Sequence, residues 1–166
     1  QGNGLADAFW DALSESGVLL AGIATDDAHD ACGEASDSLL GWVNVAAEPT
    51  PEAVLAALRD GAFHASTGPE LRAVDVDPAG VEVRCSPASA VLLASGPWDG
   101  CAVNADPGVS DYRGEILERD ADGLITRARL RLPEYAGWGR VEVRAPGGGR
   151  AWGAPLALGG ARRPYR

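Results

Sequence analysis

Lysine and methionine are both missing from this chain: all 14 basic residues are arginine, set against 24 Asp and Glu for a formal net charge of −10. A surface with that balance repels phosphate backbones, which argues against a nucleic-acid partner unless a metal supplies positive charge locally. The absence of lysine beside abundant Ala, Gly and Arg reads as codon bias and says little about mechanism. Long hydrophobic runs are missing too. No stretch approaches the roughly 18 apolar residues of a membrane helix, and there is no basic-then-apolar leader, so no membrane partner is expected. With Gln1 as first residue a removed signal stays open, and the expectation is a soluble protein, cytoplasmic or exported after signal removal.

Cysteine is scarce. Cys32, Cys85 and Cys101 lack metal-type spacing, and an odd number argues against a disulfide framework. They read as buried thiols, with a Cys85–Cys101 pairing open in an oxidising compartment. Histidine is scarcer, with only His29 and His64. No Gly-x-Ser-x-Gly elbow accompanies Ser66 and His64, which argues against serine-hydrolase chemistry. Gly96 and Gly147 to Gly149 precede no helix, so a phosphate-cradling loop is not expected.

What is present is a 46% apolar chain of 166 residues, enough to bury a core as one ordinary domain or two small ones. Leu5, Ala8, Phe9, Ala12 and Leu13 recur at three-and-four spacing, which predicts an amphipathic helix ended by Gly17. Val18 to Ala21 then reads as a buried strand leading through Gly22-Ile-Ala-Thr into Asp26, Asp27 and His29. Ligands and metals in α/β sheets bind at the carboxyl ends of strands. Asp27 and His29, two residues apart on an extended segment, point to one side and offer a carboxylate oxygen and an imidazole nitrogen to one divalent cation. An Asp-rich turn capping the next helix accounts for Asp26, Asp27 and Asp30 as simply. A catalytic metal site takes three or more protein ligands, so the others would come from Asp26, Asp30, Glu34, His64 or another polypeptide.

Leu39 to Val45 reads as a short strand. Thr50-Pro-Glu-Ala announces a helix with Thr50 as N-cap, Pro51 in its first turn, Val54, Leu55 and Leu58 on one face, and Gly61 as its end. Phe63 to Pro69 closes this half on a Ser-Thr-Gly-Pro turn. Beyond it the texture changes to alternation: 71–76, 80–85, 90–94, 112–119, 124–132, 139–144 and 151–158 read as strands of a two-sheet antiparallel sandwich whose outward Arg and Glu form a solvated face. Trp98, Trp138 and Trp152 fill its core or offer an aromatic surface.

Ala24-Thr-Asp-Asp-Ala-His29, Leu40-Gly-Trp-Val43, Thr50-Pro-Glu-Ala-Val-Leu-Ala-Ala-Leu-Arg-Asp-Gly61 and Phe63-His-Ala-Ser-Thr-Gly-Pro69, in that order, resemble the closing part of a PHP (polymerase and histidinol phosphatase) domain. The branch is that of the carbaryl hydrolase-like metal-dependent hydrolases. Gly139-Arg-Val-Glu-Val-Arg144 with Ala151-Trp-Gly-Ala-Pro155 resembles the end of the β-sandwich that follows such domains. The resemblance implies an α+β protein: residues 1–69 as the closing α/β segment of a distorted β/α barrel, and 70–166 as an immunoglobulin-like antiparallel β-sandwich. It also implies hydrolysis of a phosphoester or related small-molecule ester with divalent zinc, manganese or iron. The family's last metal motif, Asp-x-His, maps onto Asp27 and His29, with Asp26 and His64 beside the ligands. His64 stands where the family often has Tyr. The opening His-x-His motif and the intermediate Glu and His ligands have no counterpart. The metal is therefore expected to be incompletely coordinated by this chain, with an N-terminal PHP segment, in the same or another chain, as partner. The alternative is a non-catalytic sandwich that binds a saccharide or a protein.

Overall fold

A computed structural model describes residues 6–25, 41–45, 47–96 and 99–159. The described elements are α1 (Asp7–Glu15), β1 (Trp42–Val45), α2 (Pro51–Asp60), β2 (Phe63–Ser66), β3 (Leu71–Asp77), β4 (Gly80–Ala88), β5 (Ala90–Ala94), β6 (Cys101–Asn104), β7 (Gly114–Arg119), β8 (Ile125–Leu130), β9 (Trp138–Arg144), β10 (Arg150–Trp152) and β11 (Leu156–Ala157). Local chemistry explains α2: the Thr50 hydroxyl accepts the Ala53 N–H at 3.3 Å, Pro51 needs no donor partner in the first turn, and Gly61 ends the helix at φ 68°. Among the described residues no helix is long and apolar enough to cross a membrane.

The strands form two antiparallel sheets. Sheet A runs β1-β2-β10-β9-β5-β6, with β11 continuing beside β9 beyond β10, and sheet B runs β3-β4-β8-β7. Period-two patterning places Val81, Val83 and Cys85 of β4, Val91 and Leu93 of β5, Ile125, Ala128 and Leu130 of β8, and Val141 and Val143 of β9 in one buried cluster between the sheets. Each fully buried Val or Leu contributes about 1.5–3 kcal/mol relative to an exposed one. The chain crosses from sheet A to sheet B at the Ser66 turn. The buried Ser66 hydroxyl donates to the Pro69 carbonyl at 2.6 Å and accepts the Gly68 N–H at 3.0 Å.

The expected closing α/β segment of a β/α barrel is overturned. Such a segment needs parallel strands alternating with helices, whereas every named strand pair here is antiparallel. β1 pairs with β2, Trp42 opposite Ser66, and β2 pairs with β10, Ala151 opposite the same Ser66. Strands on both sides of Pro69 thus share sheet A. The segment 18–25, expected to begin as a buried strand, has no strand pairing, and Val18, Leu20 and Ile23 are exposed. A short apolar run cannot distinguish a strand from an unpaired extended segment, because a strand is made by its neighbour's backbone.

The solvated sandwich face also needs correction on sheet A. Trp138, Arg140 and Glu142 alternate with Val141 and Val143 along β9 and are buried nonetheless: α1 lies over Trp138 and Arg140, and Glu142 is held by Arg144 and Arg150. β9 is therefore buried on both faces. On its other flank sheet A is covered by α2, which packs against β1 and turns Val54 and Ala57 inward while Leu55 and Leu58 stay exposed.

Candidate functional site

Asp26, Asp27 and His29 lie outside the described residues, as do Asp30, Glu34, Cys32 and Trp98. His64 is on β2, and its Nε2 accepts the Leu71 N–H at 3.4 Å. Burial lowers its pKa, opposed by the nearby Glu70 carboxylate. That ring nitrogen serves the backbone at the start of β3, and Ser66 is committed to its own turn, so the two do not form a dyad. Among the described residues no three His, Cys, Asp or Glu side chains gather as a metal site, and they do not by themselves fit a divalent cation. Cys85 and Cys101 are buried free thiols; burial pushes Cys85 up to about 11. Trp138 and Trp152 are buried as well, which removes two of the three indoles from any aromatic binding surface.

The most specific arrangement is one that motif reading missed. Asp7, Asp11 and Glu15 recur every fourth residue and form a single acidic stripe on α1. Each carboxylate meets a side chain of the outer face of sheet A. Asp7 pairs with Arg150 at 3.2 Å, Asp11 with Arg140 at 2.8 Å, and Glu15 accepts the Trp138 Nε1–H at 2.9 Å. Arg140 is only 1% exposed. Its guanidinium lies 4.0 Å from the centroid of the Trp10 ring, a cation–π contact that offsets part of its desolvation. Despite the short Arg140–Asp11 distance, neither Nη1 nor the facing Oδ1 has the alignment of a hydrogen bond, and Nε also lacks a partner. Attraction there is electrostatic rather than directional.

Trp10 carries this clamp into the next segment. Its Nε1–H donates to the Leu20 carbonyl at 2.7 Å, and its ring lies against Gly22, where a Cβ would come within 2.5 Å of a ring carbon. Gly22 is required for that close approach. The segment leading to Asp26 is thus fastened to sheet A through Trp10.

The same geometry turns the apolar stripe of α1 outward. Ala8, Phe9 and Ala12, expected to face the core, are exposed, and Phe9 is 69% exposed. Val18, Leu19, Leu20 and Ile23 follow directly in the chain and are exposed as well. Together they form an exposed apolar face on the outer side of α1 and the segment that follows it. The signal for the clamp was present in the four-residue spacing of Asp7, Asp11 and Glu15, but its arginine partners lie more than a hundred residues away in sequence.

Compared with known proteins, the chain matches no family model, no curated protein and no solved structure.

Proposed function

We propose that this chain is the sandwich-bearing C-terminal part of a PHP-type metal-dependent hydrolase acting on a phosphoester or related ester, and that its exposed apolar face seats the remainder of that enzyme, in the same or another polypeptide. The observation that carries the reading is the outward apolar surface of Phe9, Val18, Leu20 and Ile23, held on a layer whose polar side is clamped to sheet A. The segment it belongs to runs into Asp26, Asp27 and His29, the residues that the family resemblance makes metal ligands or their neighbours. Two ligands are too few for a catalytic centre. Docking of a further polypeptide on the apolar face would bring the missing ones to the same end of the segment.

The reading is tested by calorimetric titration of zinc and manganese into the chain alone and into the chain paired with a PHP-domain polypeptide carrying the His-x-His motif. Hydrolysis of p-nitrophenyl phosphate and p-nitrophenyl acetate is followed in parallel. The expected result is weak metal binding and no turnover by the chain alone, with tight binding and turnover in the pair, both lost in Asp27→Ala. Turnover by the chain alone, or metal binding by the pair that ignores Asp27→Ala, would overturn it. The non-catalytic reading, a sandwich that binds protein, draws on the same apolar face and predicts a stable complex without turnover.

A further inference from the structure

A second region has the makings of a ligand site. Near the start of β6 and the end of β8, a cleft of about 290 Å³ is lined by Asp99, Arg113, Arg131, Leu132, Glu134 and Tyr135. Arg113 adopts φ 53°, the left-handed region, and among the described residues no other residue than glycine does so. That conformation is unfavourable for a side chain with a Cβ and persists where the surroundings impose it, often at functional sites. Here Ala102 and Tyr112 exchange backbone hydrogen bonds at 2.8 and 2.7 Å, and the Arg131 N–H donates to the Arg113 carbonyl at 2.9 Å. The backbones of the two arginines are thereby tied together. Arg113 reaches along the Tyr112 ring, 5.2 Å from its centroid, to within 3.8 Å of Asp99.

The charges in the cleft are only partly used by the fold. Among the described residues neither Arg131 nor Glu134 has an ion-pair partner, and the Arg113–Asp99 pair is long. Two arginines and two acidic residues line one small concavity in a chain of net charge −10. A simple anion would be repelled by Asp99 and Glu134, and a simple cation by the arginines. A molecule carrying both charges satisfies each set, with a carboxylate matching the guanidinium fork. The volume is at the lower limit of small-molecule sites.

We propose that this cleft binds a small zwitterion, of α-amino-acid size, whose carboxylate is taken by Arg131 and Arg113 and whose ammonium group is taken by Glu134 and Asp99. The inference does not depend on the hydrolase reading. The test is isothermal titration of the full chain with L-leucine, L-glutamine and glycine, and separately with sodium acetate and methylammonium chloride as half-ligands. Saturable binding of at least one amino acid at millimolar concentration is expected, weakened at least tenfold in Arg131→Met and in Glu134→Gln. Both residues are exposed, so the variants should fold, which circular dichroism checks. No saturable binding of any amino acid would overturn the proposal. So would acetate binding as well as the amino acids do, or unchanged binding in either variant.

Discussion

Replacing Asp11 by Ala isolates the energetics of the clamp. Arg140 is 1% exposed, and its nearest counter-charge is the Asp11 carboxylate at 2.8 Å. Without that carboxylate the guanidinium keeps the Trp10 ring at 4.0 Å but loses its ion pair, while Nε and Nη1 already lack hydrogen bonds. Breaking a buried pair from one side costs about 3–5 kcal/mol, because an uncompensated charge stays buried. The Asp11 side chain is 45% exposed, so water screens the pair and the expected loss is at the lower end, about 3 kcal/mol. For a chain of this size that corresponds to a fall of about 6–12 °C in Tm.

Arg140→Met removes the buried charge while keeping most of the volume and leaves Asp11 a half-exposed carboxylate that water can solvate. It should change stability by no more than about 1 kcal/mol in either direction. The double variant should then be more stable than Asp11→Ala alone, since the stranded charge is gone. Urea unfolding followed by far-ultraviolet circular dichroism, with midpoints compared at constant m, measures all three. If Asp11→Ala costs less than about 0.5 kcal/mol, or Arg140→Met costs as much as Asp11→Ala, the reasoning about a buried charge needing its partner is refuted.

Gly22→Ala puts a methyl group against the Trp10 ring and should cost about 1–3 kcal/mol, with a change in tryptophan emission as the Nε1–H bond to Leu20 is lost; unchanged emission would count against the packing. Hydrogen bonds from Arg127 and Arg129 hold the Glu82 carboxyl below its usual 4.5. Its stabilising contribution is therefore complete above about pH 4.5 and disappears as pH falls through the lowered folded-state value. Glu82→Gln should flatten the acid limb of urea midpoints measured between neutral and acidic pH. Cys85, with its thiol pushed up to about 11 and buried, should resist iodoacetamide at mildly alkaline pH and react only on unfolding; modification of the native chain at Cys85, read by peptide mass mapping, would contradict that environment.

The parts of the fold legible in the sequence are those determined by neighbours along the chain. Thr50, Pro51 and Gly61 mark both ends of α2 within a dozen residues. The alternation in β3, β4, β8 and β9 records one face turned to a common core. β6 escaped that reading because Cys101-Ala-Val-Asn104 is too short to show a period. What the chain could not show was which strands pair. β2 joins β10 across more than eighty residues, and that pairing places β2, with β1 beside it, in the sandwich sheet. Of the metal residues suggested by the sequence, Asp26, Asp27 and His29 fall outside the described residues, whereas His64 is turned to the Leu71 N–H.

Helix α1 shows why its orientation was not legible. It carries an apolar stripe and an acidic stripe on different sides, and an amphipathic helix in isolation is expected to bury the apolar one. β9, however, presents Trp138 and Arg140 on the face that α1 covers, and β10 presents Arg150 beside them. An apolar stripe laid over Arg140 would strand its guanidinium without a counter-charge, a larger cost than exposing Phe9. The acidic stripe must therefore face the sheet, and the apolar stripe then faces outward. Burying Phe9, Val18, Leu20 and Ile23 beneath a partner would contribute on the order of 1.5–3 kcal/mol for each side chain before the cost of association. The orientation of α1 is thus set by the buried charge of β9 rather than by the helix's own apolar stripe.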